Sequence, residues 1–108
     1  MTNTKFPNSI LLQRIEAFYD HCASKFYDAK KSESNMYKYA DVARKKFVDI
    51  VDTDKEGLNE KEKTALNLCE SIYQHIATAP NHMFRKDVKD LEDMFLADLK
   101  SLSKLLEK

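Results

Sequence analysis

Places where this chain can turn sharply are few: its 108 residues include one glycine, Gly57, and two prolines, Pro7 and Pro80. An all-β domain of this size needs a turn about every 8–12 residues, so that architecture is excluded. With a single glycine there is also no glycine-rich loop to cradle a phosphate and no Gly-x-Ser-x-Gly nucleophile turn. Cysteine is scarce too. Cys22 and Cys69 stand alone, without a CxxC, CxxH or HxxxH pairing to suggest a zinc site. Net charge is missing, since 18 basic side chains balance 18 acidic ones, and whole-chain attraction to nucleic acid or acidic membranes gains no support. No stretch approaches the roughly 20 apolar residues of a membrane span. The opening Met-Thr-Asn-Thr-Lys-Phe-Pro carries no apolar signal core. A cytoplasmic, reduced location is the expectation, although export without a cleaved N-terminal signal would give the same sequence.

What the chain does have is helical periodicity. Leu11, Ile15, Phe18, Cys22, Phe26 and Ala29 step by four and three, the spacing of one helix face. Pro7-Asn8-Ser9 supplies a stop and a capping oxygen just before them. Met36, Ala40, Ala43, Phe47 and Ile50 repeat the pattern, although Tyr37-Lys38-Tyr39 and Phe47–Val51 taken alone resemble strands. A third stripe runs through Leu58, Ala65, Cys69, Ile72, Ile76 and Ala79, with Leu66 and Tyr73 alongside. Asn59 and Glu62 form a capping-box pattern at its start. The fourth comprises Phe84, Val88, Leu91, Phe95, Leu99, Leu102, Leu105 and Leu106. The spacing predicts an all-α fold, an antiparallel up-down four-helix bundle with helices about 9–30, 34–51, 59–78 and 82–107. It forms one domain over 1–108, with 1–8 expected as a flexible N-terminal segment.

Asp52-Thr53-Asp54-Lys55-Glu56-Gly57 begins like a calcium-binding EF-hand loop, with carboxylates at alternate positions and glycine sixth. The second half departs from that pattern, because Lys63 occupies the twelfth position, where a bidentate glutamate closes the cage. Asp52, Asp54 and Glu56 are therefore a weak metal candidate. The simpler expectation is a charged interhelical turn in which Gly57 takes a positive φ and Asn59 caps the next helix. No metal, cofactor or catalytic residue is expected. The cysteines fall on core faces, and none of His21, His75 or His82 follows a glutamate at the spacing of a di-metal bundle. Asp98 lies within the apolar arc of the fourth helix, about 60° from Phe95. It is expected to pair with a basic group on a neighbouring helix.

Arg44-Lys45-Lys46, Lys30-Lys31 and Lys38 are the material for a nucleic-acid surface, but the run is short and reads as a solvated helix face. Charge is uneven along the chain: residues 1–48 carry nine basic and five acidic groups, residues 49–98 six and twelve. Tyr37 and Val48 lie off the core stripe of the second helix and flank Arg44, while Met94 and Leu96 sit on either side of the fourth seam. Exposed aromatic, methionine and arginine side chains are common interface material. Tyr37, Arg44, Lys45 and Val48 are thus the expected partner-binding residues. In size and helix count the chain resembles bacteriocin-immunity proteins, phage-encoded inhibitors and accessory domains of secreted bacterial effectors; no motif carries that likeness and no residue is transferred by it. The expected function is a non-catalytic module that binds another protein. A weak cation-binding regulator and a small enzyme with a carboxylate or Cys–His site are the alternatives. The fourth seam can close the monomer's own core or extend into a homodimer.

Overall fold

Asn8 starts the first helix from an extended conformation, its side-chain oxygen accepting the Leu11 amide at 3.0 Å. That bond satisfies one of the donors every helix start leaves free. In the computed structural model, which describes residues 6–78 and 89–106, this helix (α1) covers Ser9–Ser24. Then come α2 at Phe26–Ala29, α3 at Glu33–Val51, α4 at Glu60–Thr78 and α5 at Lys89–Leu106. There is no strand among the described residues. The fold is an all-α bundle in which α1 packs against α3, α4 and α5, and α4 packs against α3 and α5.

The segment expected as one helix over 9–30 is divided at Lys25. The Ser24 hydroxyl donates to the Asp20 carbonyl at 2.5 Å, a back-bond of the kind that bends helices. The Tyr39 hydroxyl, reaching over from α3, donates to the Cys22 carbonyl at 2.6 Å. In an unbroken helix that carbonyl would receive the Phe26 amide. The bend keeps register, since the Lys25 amide still reaches the His21 carbonyl at 3.1 Å and the Ala29 amide reaches that of Lys25 at 3.0 Å. Hence Cys22, Phe26 and Ala29 stay on the buried stripe with Leu11, Ile15 and Phe18.

Ser32 begins α3 slightly earlier than expected, its hydroxyl accepting the Asn35 amide at 3.0 Å. The capping box on α4 forms: Asn59 accepts the Glu62 amide at 2.8 Å, and one Glu62 oxygen accepts the Asn59 amide at 3.0 Å. The second Glu62 oxygen accepts the Asn8 amide at 2.9 Å, so one buried carboxylate joins the starts of α1 and α4. Phe6 packs on the core beside Asn8, beneath the Lys61 ammonium. The expected start of the fourth helix (His82, Phe84, Val88), Pro80, Ala79 and the Leu91 side chain lie outside the described residues.

The core joins Met36, Ala43 and Ile50 of α3 to Ala65, Cys69, Ile72 and Ile76 of α4 and Phe95, Leu99, Leu102 and Leu106 of α5. Ala40, Phe47, Leu58, Leu66, Tyr73 and Leu105 pack against it while partly buried. Two chains of aromatic contacts cross it. Phe95, Phe26, Tyr39 and His21 follow one another with centroids 5.0, 6.2 and 4.8 Å apart. Phe18, Phe47 and Tyr73 do so at 5.9 and 4.6 Å.

Candidate interaction surface

Away from the core, α3 carries a second stripe. Tyr37, Arg44, Val48 and Val51 recur at helical spacing and fall within about 60° of one another around the axis. All four are exposed, Tyr37 by 49%, Val48 by 43% and Val51 by 53%. Lys45 points farther round the helix, so the structure groups three of the four expected partner-binding residues and sets the fourth beside them. Asp41 links the set, accepting from Arg44 at 3.0 Å and pairing with Lys45 at 3.3 Å. Those two cations, Arg44 foremost, hold the Asp41 carboxyl below its ordinary value. The pairs are solvent-exposed; they fix side-chain directions and add little stability.

Tyr37, Arg44 and Val51 of this stripe belong to one wall of a groove, and Val48 stands beside it. Tyr37, Ala40, Asp41 and Arg44 of α3 face Tyr73, Ile76 and Ala77 of α4 around one concavity. Farther along, Phe47, Ile50 and Val51, with Lys55 of the following turn, face Leu66 and Glu70 around another. Between them the Phe47 and Tyr73 rings stack at 4.6 Å with planes 9° apart. The start of α3 therefore lies against the end of α4. The α4 wall was not foreseen from the sequence. Leu66, Glu70, Tyr73 and Ala77 do share helical spacing, and that repeat was the available signal.

The acidic turn is built by hydrogen bonds within the protein. Gly57 has φ 71°, and the Asp54 carboxylate accepts the Glu56 amide at 3.2 Å. The Lys55 ammonium donates to the carbonyls of Val51 and Thr53. The Asn8 side chain takes the Asp54 carbonyl at 3.0 Å. Arg14 donates to Asp49 and Thr53 at 3.0 and 2.8 Å, a cation at the C-terminal end of α3 where the helix dipole favours one. Asp52, Asp54 and Glu56 do not converge, and no group of three His, Cys, Asp or Glu able to hold a metal occurs among the described residues.

Asp98 lies at the edge of the α5 stripe and reaches α4. One of its oxygens accepts the Ser71 hydroxyl at 2.6 Å and stands 3.4 Å from His75 Nε2. Serine and imidazole thus meet the same carboxylate oxygen. A nucleophilic relay instead sets the imidazole between hydroxyl and carboxylate. Burial pushes the Cys69 thiol up to about 12 and that of Cys22 higher still, so neither supplies a thiolate at neutral pH. Among the basic residues, Lys30 holds Glu92 at 2.5 Å and Lys31 holds Asp28 at 3.2 Å.

Fold and surface together define a small all-α bundle with an open groove between two helices. No protein-family model, curated protein or solved structure matches the chain. No helix among the described residues is long and apolar enough to cross a membrane.

Proposed function

We propose that the chain is a non-catalytic protein-interaction module, of the inhibitor, adaptor or immunity type or an accessory domain of an effector, and that it receives an amphipathic helix of its partner in the α3–α4 groove. The observation that carries this reading is the exposed Tyr37–Arg44–Val48–Val51 stripe beside a groove in which Phe47 and Tyr73 stack. Large apolar side chains left in water at helical spacing favour burial against another apolar stripe, at about 25 cal/mol per Å² removed from water. A groove between two helices presents side chains rather than unpaired backbone, so an added strand gains nothing and a helix fits. The 19 residues of α3 extend about 28 Å, room for several turns of a partner helix. Arg44 on one wall and Glu70 on the other would orient a partner with the opposite charge order. Two free, buried thiols fit a reducing, cytoplasmic setting.

The test is affinity capture from the native source with a photo-crosslinking residue at position 48. One crosslinked partner should be recovered, and Tyr37→Ala with Arg44→Glu should abolish its capture while helical circular dichroism stays unchanged. Undiminished capture by that variant would overturn the assignment of this face.

A further inference from the structure

A different concavity, open to solvent and of about 450 Å³, lies at the bend between α1 and α2 and is bordered by α3. Pockets of this size accommodate small molecules. Ala29, Val42 and the His21–Tyr39 ring pair, whose planes are 31° apart, give it apolar walls. Lys25, at the bend itself, and Lys38, on α3, bring positive charge to it. Asp28 also borders it, but that carboxylate holds Lys31 at 3.2 Å. Asn35 reaches the pocket edge and donates to the Asp28 carbonyl.

His21 lines this concavity and feels one of its two lysines, Lys25. Its titration lies below the ordinary 6.5, chiefly through burial, with Lys46 and Lys25 adding repulsion against a hydrogen bond to Tyr39 that acts the other way. Nε2 is 3.0 Å from the Tyr39 carbonyl, which can only accept. The neutral ring therefore carries its hydrogen on Nε2 and leaves Nδ1 as a lone pair.

We infer that this concavity binds a small organic anion, a carboxylate or phosphate ester on an aromatic or branched aliphatic body. Lys25 and Lys38 meet the charged group, and Ala29, Val42 and the ring pair meet the apolar body. Two lysines beside one apolar pocket suit a single anionic group, whereas a nucleic-acid backbone calls for a row of cations. The site is separate from the α3–α4 groove and does not depend on the function proposed for it.

Titration of the full chain followed by nuclear magnetic resonance tests this, with phenyl phosphate and benzoate as probes and inorganic phosphate and benzyl alcohol as controls. At least one of the aromatic anions should produce saturable shifts at His21, Ala29, Lys38 and Val42. The better of the two identifies the headgroup. The Lys25→Gln, Lys38→Gln double variant, altered only at exposed positions, should bind it roughly tenfold more weakly, a loss of about 1.4 kcal/mol, with unchanged circular dichroism. A bound anion should also raise the His21 titration midpoint against Lys25, Lys38 and Lys46, with Asp28 the acidic group at the pocket. The inference is overturned by absence of saturation at millimolar probe, by an equal response to benzyl alcohol, or by undiminished binding in the double variant. Inorganic phosphate binding as tightly as phenyl phosphate would overturn the apolar half of the site.

Discussion

His21 is a titratable group whose charged form the folded state opposes. Burial is the largest cause, and Lys46 and Lys25 add to it; the Tyr39 carbonyl offsets part. In the unfolded chain the same imidazole is free to take a proton near its ordinary value of 6.5. As pH falls through that value the unfolded state binds a proton that the folded state resists, so stability declines. The decline ends once pH passes below the folded pKa. A glutamine at this position offers a donor to the Tyr39 carbonyl and does not titrate. Between about pH 7 and 5, wild-type urea midpoints should therefore fall more steeply than those of His21→Gln. Parallel slopes would show that the fold does not hold this ring neutral.

At the scale of elements, the division of α1 from α2 turns on a bond that no local pattern announces. Tyr39 is buried, and its hydroxyl reaches the Cys22 carbonyl from 17 positions away. Tyr39→Phe keeps the ring and removes the donor, leaving a buried carbonyl without its partner. A loss of about 1–3 kcal/mol in urea unfolding is expected. A loss near zero would mean that the Phe26 amide recovers the carbonyl and that the bend has another cause. The same comparison explains what the sequence revealed. The Asn8 cap, the Asn59–Glu62 box and the positive φ of Gly57 were legible because each rests on residues within one turn of one another. The exposed Tyr37–Arg44–Val48 stripe was legible for the same reason, being the periodicity of a single helix. Three features depended on which flank of one helix meets another: the burial of Tyr39, the Leu66–Ala77 wall of the groove, and the His21 concavity. Periodicity gives each helix its stripe but not the neighbour on either side of it, so these were not foreseen. Glu62 is a mixed case. Its capping role could be read locally, whereas its second bond, to the Asn8 amide, joins residues 54 positions apart.

For the molecule as a whole, α5 is tied to the rest by Phe95, Leu99, Leu102 and Leu106, and Phe95 is the largest of them. It is fully buried, lies 5.0 Å from Phe26 of α2, and meets the edge of His75 of α4 at 6.4 Å. Polar bonds from α5 converge on the same neighbours, Lys30–Glu92 toward α2 and Asp98 toward Ser71 and His75 of α4. Those polar groups are only partly buried, so they add direction more than energy. The apolar contacts of Phe95 and the three buried leucines then supply most of the attachment. Phe95→Ala removes ring surface and leaves a void that three helices cannot all move to fill, at an expected cost of about 3–5 kcal/mol. Met94, adjacent in sequence, is turned about 100° away from Phe95 and is 54% exposed. Met94→Ala should change stability by no more than about 0.5 kcal/mol. Urea unfolding of the two variants side by side separates burial from helix propensity, because both substitutions place alanine in the same turn of α5. If the two losses were equal, burial of the Phe95 ring would not be what holds α5 in place. The same measurement bears on the groove: α3 and α4 make contacts of their own, so a Phe95→Ala protein that still folds should keep Tyr37, Arg44 and Val48 in their present arrangement and retain the partner.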